Sequence, residues 1–178
     1  MLNTFKNVLQ RLKNECLASG YEMLLEADLS HWLFHLLLTQ PEVSPQQIHS
    51  DTRICNINGR FDIVIGPLHM ETDKRPCVQP QLVAELKIFP RIGFTDQAHR
   101  VHYKHILNDD IPKLGRLNPA IQLRTALIVD GRGYLQGTYQ GYNRWDYLIK
   151  KRNDIASGVH VFMMHFADNN WHIEHELP

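Results

Sequence analysis

Residues 81–89 read Gln-Leu-Val-Ala-Glu-Leu-Lys-Ile-Phe and are closed by Pro90. Side chains alternate across a strand, so Glu85 and Lys87 share one face while Ala84, Leu86 and Ile88 share the other. The surrounding run is apolar on both faces, which is the pattern of a central, largely buried strand. Such a strand must be covered on both sides, and the covering layers have to come from helices elsewhere in the chain. A carboxylate and an ammonium in that position need a reason, because each is expensive to bury without a partner.

The rest of the chain supplies the layers. Its 178 residues suit one domain, 1–178. Phe5, Val8, Leu9, Leu12 and Cys16 recur with a helical period, and Ser19-Gly20 interrupts. A second helix is expected to run to about Leu38, capped by Ser19 with Glu22 three residues on. Two strands, Thr52–Ile57 and Arg60–Ile65, flank Asn58-Gly59, a strong hairpin signal. Residues 68–79 read as an exposed turn region. After the Gln81–Phe89 strand come a helix from Asp96 to about Leu107, a turn or short helix at Asp110-Ile111-Pro112 and a strand at Leu123–Val129. A helix within 139–151 and late strands at 159–166 and 171–173 complete the order. The expectation is an α/β protein with a mixed central sheet flanked by helices.

No apolar stretch reaches the roughly 18 residues of a membrane span, and the N-terminal segment reads poorly as a signal peptide. Cys16, Cys55 and Cys77 are odd in number without a CxxC pair, so neither a disulfide framework nor a zinc ribbon is expected. A cytoplasmic protein with reduced thiols follows. The 19 basic and 19 acidic residues cancel, but they are segregated. Residues 15–51 hold six acids and no Lys or Arg, whereas residues 91–124 hold six bases against three acids. A basic face beside an acidic pocket suits polyphosphate chemistry with metal ions.

A lone Asp62 interrupts the apolar Phe61–Ile65 strand, 23 positions before Glu85. If the two strands are neighbours, both carboxylates lie on one face, an arrangement that persists mainly where a cation sits between them. Glu26 stands at the buried margin of the second helix, one heptad before Leu33; Asp28 is the alternative acid there. Arg100, Lys104, Lys113 and Arg116 could track a nucleic-acid backbone or line a solvated helix face. His99, His102 and His105 are expected mainly to face solvent. The Trp171–His175 segment alternates His and Glu and reads as a polar edge strand, with a transition-metal site as the rival.

An acid on a helix (Glu26), an Asp in a strand (Phe61-Asp62) and Glu85-Leu86-Lys87 in the next strand resemble the PD-(D/E)XK nuclease superfamily. The resemblance covers about residues 20–130. It implies a restriction-endonuclease-like αβββαβ core and hydrolysis of phosphodiesters, in DNA more than RNA, with Mg²⁺ or Mn²⁺. It also implies that Asp62, Glu85 and the Leu86 carbonyl hold the metal, that Glu26 holds a second ion or a water, and that Lys87 orients the attacking water. Phe61 stands where the family name has Pro. Gln97 and Tyr103 match, at wider spacing, a Gln and Tyr that some members place on the following helix. No membrane partner is implied, and a homodimer is left open. Two rivals stand beside this reading: a nuclease-like domain that binds nucleic acid or protein without cutting, and a histidine-based metal regulator.

Overall fold

The computed structural model describes residues 1–177 except 21, 22, 24 and 72–74. Helix α1 (Leu2–Ser19) buries Phe5, Val8, Leu9, Leu12 and Cys16 along one stripe. Gly20 ends it in the left-handed region at φ 62°, a conformation that a side chain would strain. Ser19 is thus the last residue of this helix, its hydroxyl donating to the Glu15 carbonyl at 2.6 Å. It does not cap the next one. Glu22, the other half of the expected capping box, lies outside the described residues. Helix α2 (Glu26–Leu38) begins later than expected, and the Asp28 carboxylate accepts the Leu25 N–H at 3.0 Å, which satisfies one of the donors a helix start exposes.

In chain order the strands are β1 (Ile48–Thr52), β2 (Phe61–Ile65), β3 (Leu68–Met70), β4 (Pro76–Val78), β5 (Leu82–Phe89), β6 (Leu123–Asp130), β7 (Thr138–Tyr139), β8 (Tyr142–Asn143), β9 (His160–Ala167) and β10 (Asn170–Glu176). Helix α3 (Asp96–His105) runs through a π-helical turn (Ile106–Asp110) into α4 (Ile111–Gly115), and α5 (Arg144–Ile155) precedes β9. Six strands make one mixed sheet in the order β1-β2-β5-β6-β9-β10. The β5, β6 and β9 strands are parallel, while β1, β2 and β5 pair antiparallel, as do β9 and β10.

The two central strands are β5 and β6, and every residue of β6 is buried. Leu82, Ala84, Leu86 and Ile88 pack with the apolar stripes of α1 and α2. Val83 and Phe89 pack on the other face with Tyr103, Ile106, Ile111, Leu114 and Leu148. Glu85 and Lys87 belong by alternation to this second face, beneath α3, the π turn and α4.

Three expectations need correction. The β1–β2 pair is antiparallel, but its register ends at Thr52↔Phe61, so residues 53–60 form a wide loop and not a two-residue turn at Asn58-Gly59. The Arg53–Ile57 stretch leaves the sheet to pair with β4: Val78 N–H donates to Arg53 and Cys55 N–H to Val78, both at 3.0 Å. Residues 68–79, expected as a turn region, contain the β3–β4 hairpin that receives this loop. That pairing brings the Cα atoms of Cys55 and Cys77 to 5.1 Å, and the two are joined as a disulfide, against the expectation of reduced thiols. The third cysteine, Cys16, is free and buried in α1. A 22-residue separation hides such a pairing from sequence spacing alone.

The disulfide is open to a direct count. Unreduced, denatured protein should react with one equivalent of thiol reagent, and reduced protein with three. Closing a loop of this length stabilises by about 3 kcal/mol on chain-entropy grounds, so reduction should lower the urea midpoint. Three reactive thiols without reductant would refute the bridge.

Candidate active site

The register Ile63↔Ala84 and Val64↔Val83 fixes how β2 meets β5. One position further, Asp62 stands opposite Glu85 on the α3–α4 face of the sheet. Asp62 is fastened there by its own chemistry: its Oδ2 accepts the Leu86 backbone N–H at 2.7 Å. Within an extended strand the N–H and C=O of one residue point to the same edge, so the Leu86 carbonyl also faces the β2 side, where Asp62 lies.

Lys87 follows on the same face. Its Nζ lies 3.2 Å from each Glu26 carboxylate oxygen and 3.6 Å from Asp110 Oδ2. Glu26 arrives from the first turn of α2, where a carboxylate also complements the helix dipole. Asp110 arrives from the π turn and is buried. Glu85 is met from above by Lys113 of α4, whose ammonium contacts Oε1 and the Arg60 carbonyl and sits 4.2 Å over the Phe61 ring.

Electrostatics follow from this crowding. Burial, then repulsion from Asp62, pushes the Glu85 carboxyl up to about 8 despite Lys113. Burial also raises Glu26 and Asp110, with Lys87 opposing in both. Burial alone would lower Lys87, but Asp110, Glu26 and Asp62 together outweigh it and hold the ammonium charged. His102 Nδ1 lies 3.7 Å from Glu26 Oε1; burial, then Lys87, lowers the pKa of this imidazole. His105 reaches Asp110 Oδ1 at 3.3 Å.

Glu26 separates two open clefts. One, of about 550 Å³, is lined by Glu26, Ser30, Phe34, Ser50, Asp51 and Asp62. The other, of about 430 Å³, is lined by Glu26, Lys87, Phe94, Val101, His102 and His105. Asp62 therefore opens toward one cleft and Lys87 toward the other, with Glu26 reached from both.

Of the residues that the sequence picked out, Glu26, Asp62, Glu85 and Lys87 are brought together. Lys113, grouped with Arg100, Lys104 and Arg116 as a backbone contact, is instead bound into the site on Glu85. The other three are exposed on α3 and just beyond α4. Tyr103 is buried under α5 and donates to the Arg144 carbonyl at 2.6 Å, so it faces away from the carboxylates. Gln97 is exposed in the first turn of α3. Contrary to expectation His99 does not face solvent: it packs among Phe89, Phe94 and Tyr134 with ring centroids 5.3–5.7 Å away. Asp110 was missed. Its signal was available, since it lies four residues after Ile106 and four before Leu114, both buried, which puts it on the inward stripe.

Asp62, Glu85 and the Leu86 carbonyl form an all-oxygen donor set suited to a hard divalent ion with waters completing its shell. Repulsion from Asp62 is one cause of the raised Glu85 carboxyl, and a cation between the two acids would relieve it, as Lys113 does in part. Among the described residues no three His, Cys, Asp or Glu side chains are arranged to hold a metal, so any such ion would rely on two carboxylates, the carbonyl and solvent. The alternating segment Trp171–His175 forms the edge strand β10, where Glu174 contacts His165 at 3.1 Å and His175 contacts His160 at 3.0 Å. Among the described residues no helix is long and apolar enough to cross a membrane.

No protein-family model matches the chain, and comparison with curated proteins finds no significant relative. Among solved structures, SfsA of Pyrococcus furiosus, determined in complex with Ca²⁺, aligns with 85% of this chain at 12% identity and a TM-score of 0.35. The chain spans 63% of the length of that neighbour.

The raised Glu85 carboxyl gives a pH test. A carboxyl whose folded pKa exceeds its unfolded value favours the fold when protonated. Its contribution is complete below about 4.5 and is lost as pH rises through about 8. With chelator present, Glu85→Gln should gain stability relative to the parent between pH 5 and pH 9, by up to about 4 kcal/mol. Thermal melts across that range check it. A parent and variant that stay parallel would mean that Glu85 is ionised throughout.

Proposed function

We propose that this chain is a divalent-metal-dependent nuclease of the PD-(D/E)XK type, hydrolysing phosphodiesters in DNA in preference to RNA. The observation that carries the reading is the cross-strand register that sets Asp62 opposite Glu85, with Lys87 two residues on along the same face. The order α2, β1, β2, β5, α3, β6 around the same mixed sheet supports a restriction-endonuclease-like αβββαβ core.

Asp62, Glu85 and the Leu86 carbonyl would hold Mg²⁺ or Mn²⁺, and the bound ion would lower the pKa of a water and neutralise charge on the scissile phosphate. The protein's own residues do the positioning. The Leu86 N–H fixes the Asp62 carboxylate, leaving its second oxygen for a ligand. Glu26 and Asp110 keep Lys87 protonated and aimed along the sheet face. Charged Lys87 would hold the attacking water and meet negative charge that grows in the transition state. Arg100, Lys104 and Arg116 would carry the substrate backbone.

One observation favours the non-cutting alternative, a nuclease-like domain that only binds nucleic acid or protein. Both lysines of the site already have carboxylate partners, Lys87 with Glu26 and Asp110 and Lys113 with Glu85. A closed set of ion pairs can serve as scaffold alone.

Incubation with linear, circular and single-stranded DNA and with RNA, across Mg²⁺, Mn²⁺, Ca²⁺ and chelator, decides between them. Cleavage confined to Mg²⁺ and Mn²⁺ is expected. Lys87→Ala should then lose about a hundredfold or more in rate with substrate affinity nearly unchanged; equal losses in both would make Lys87 an ordinary phosphate contact. Neutralising Arg100, Lys104 and Arg116 together should weaken binding and flatten its log–log salt dependence by about 2–3. An unchanged slope would remove these three from the binding face.

A further inference from the structure

We propose that Lys113 is a tethered cation that occupies the metal position on Glu85 and is displaced when a divalent ion binds. The proposal rests on the reading of Asp62 and Glu85 as the metal pair and adds to it a residue that sets the pair's affinity.

The surroundings of the Lys113 ammonium are those of a small cation site. Three groups converge on Nζ: the Glu85 carboxylate, the Arg60 carbonyl and the face of the Phe61 ring at 4.2 Å. Each presents negative charge or partial negative charge. Arg60 and Phe61 directly precede Asp62, so the groups that hold the ammonium are contiguous in the chain with one acid and include the other. It supplies one positive charge to Glu85, which stands opposite Asp62.

Lys113 can leave and Glu85 cannot. The Lys113 side chain is 23% exposed against 6% for Glu85. Its neighbours Ile111 and Leu114 are buried, so α4 stays in place while the long side chain swings to water. Lys87 is unsuited to this role, because Glu26 and Asp110 hold it from two sides at 13% exposure. A divalent ion presents twice the charge to the same carboxylate and can bind the Asp62 oxygen as well. While the ammonium is in place the ion must evict it, and apparent affinity falls by the fraction of time the position is free.

The test measures Mn²⁺ binding to the chelator-stripped full chain by titration calorimetry and by the paramagnetic signal of free Mn²⁺. Lys113→Met keeps the aliphatic stem over Phe61 and removes the charge; Lys113→Arg keeps the charge. If the position is about nine-tenths occupied, Lys113→Met binds Mn²⁺ about tenfold tighter than the parent, while Lys113→Arg stays within about twofold. Tightening is a readout that structural damage would not produce. Equal or weaker binding by Lys113→Met, with the parent binding, overturns the proposal and leaves the metal pair standing. Binding by neither protein overturns both. Binding by Lys113→Met alone supports the proposal in its strongest form. The parent provides a second measurement that needs no variant: acylation of Lys113, followed by peptide mass spectrometry, should rise several-fold when Mn²⁺ is added. Unchanged labelling on Mn²⁺ binding would likewise overturn it.

Discussion

Everything around β5 is arranged to accommodate charge in a strand that has no access to bulk water on its apolar face. A buried ion is tolerated only with partners, and losing one partner strands the other. Glu85 and Lys87 therefore dictate what α2, the π turn and α4 must carry. Lys87 draws Glu26 from the first helical layer and Asp110 from the second, so the two layers that cover opposite faces of the sheet meet at one ammonium. Glu85 draws Lys113, and with it the Arg60 carbonyl and Phe61 ring. The site and the packing of the two faces are one problem.

That coupling gives the loop 53–60 a structural importance out of proportion to its length. It runs from β1, bridges to β4 through backbone hydrogen bonds and the Cys55–Cys77 disulfide, and delivers Arg60, Phe61 and Asp62 in succession. The Arg60 side chain turns back to Asp51, pairing with its carboxylate at 2.6 Å, while its carbonyl accepts from Lys113. Positioning of the Asp62 carboxylate thus depends on a segment outside the central sheet.

Much of this was legible in the sequence, and the parts that were not have identifiable physical causes. The β5 strand announced itself by apolar residues on both faces, and its alternation put Glu85 and Lys87 on the correct side. Asp62 stood out as a lone acid in an apolar strand, and Glu26 as an acid beside an apolar stripe. These are local patterns, each readable within a few residues. The disulfide and the wide loop escaped because tertiary pairing decided them: Asn58-Gly59 favours a tight turn locally, but pairing of residues 53–55 with β4 pulls the chain away from it. The α2 start turned on local chemistry, since Gly20 makes Ser19 the end of α1 and Asp28 caps the next helix. Lys113 was assigned to solvent-facing chemistry because a lysine's long stem lets it serve a surface or a buried acid equally well. Asp110 lies on the inward stripe set by Ile106 and Leu114, but its place beside Ile111-Pro112 reads first as the start of a turn or short helix.

The π turn accounts for how the charges are matched. Buried residues along this segment recur at Tyr103, Leu107 and Ile111 and at Ile106, Asp110 and Leu114, always four apart. In an unbroken α-helix each step of four over-rotates by about 40°, and the stripe would drift off the sheet within two turns. A π turn takes more residues per turn and cancels the drift, so Asp110 and Lys113 both remain above β5. On the strand, Glu85 and Lys87 are separated by roughly 6.6 Å; on the helix, Asp110 and Lys113 rise by roughly 4.5 Å, a gap that flexible side chains span. Direction then selects the pairs. Acid precedes base on both segments, so a helix running parallel to the strand would set like charges against each other. The segment instead connects the parallel strands β5 and β6 and returns against them, which sets Asp110 beside Lys87 and Lys113 beside Glu85.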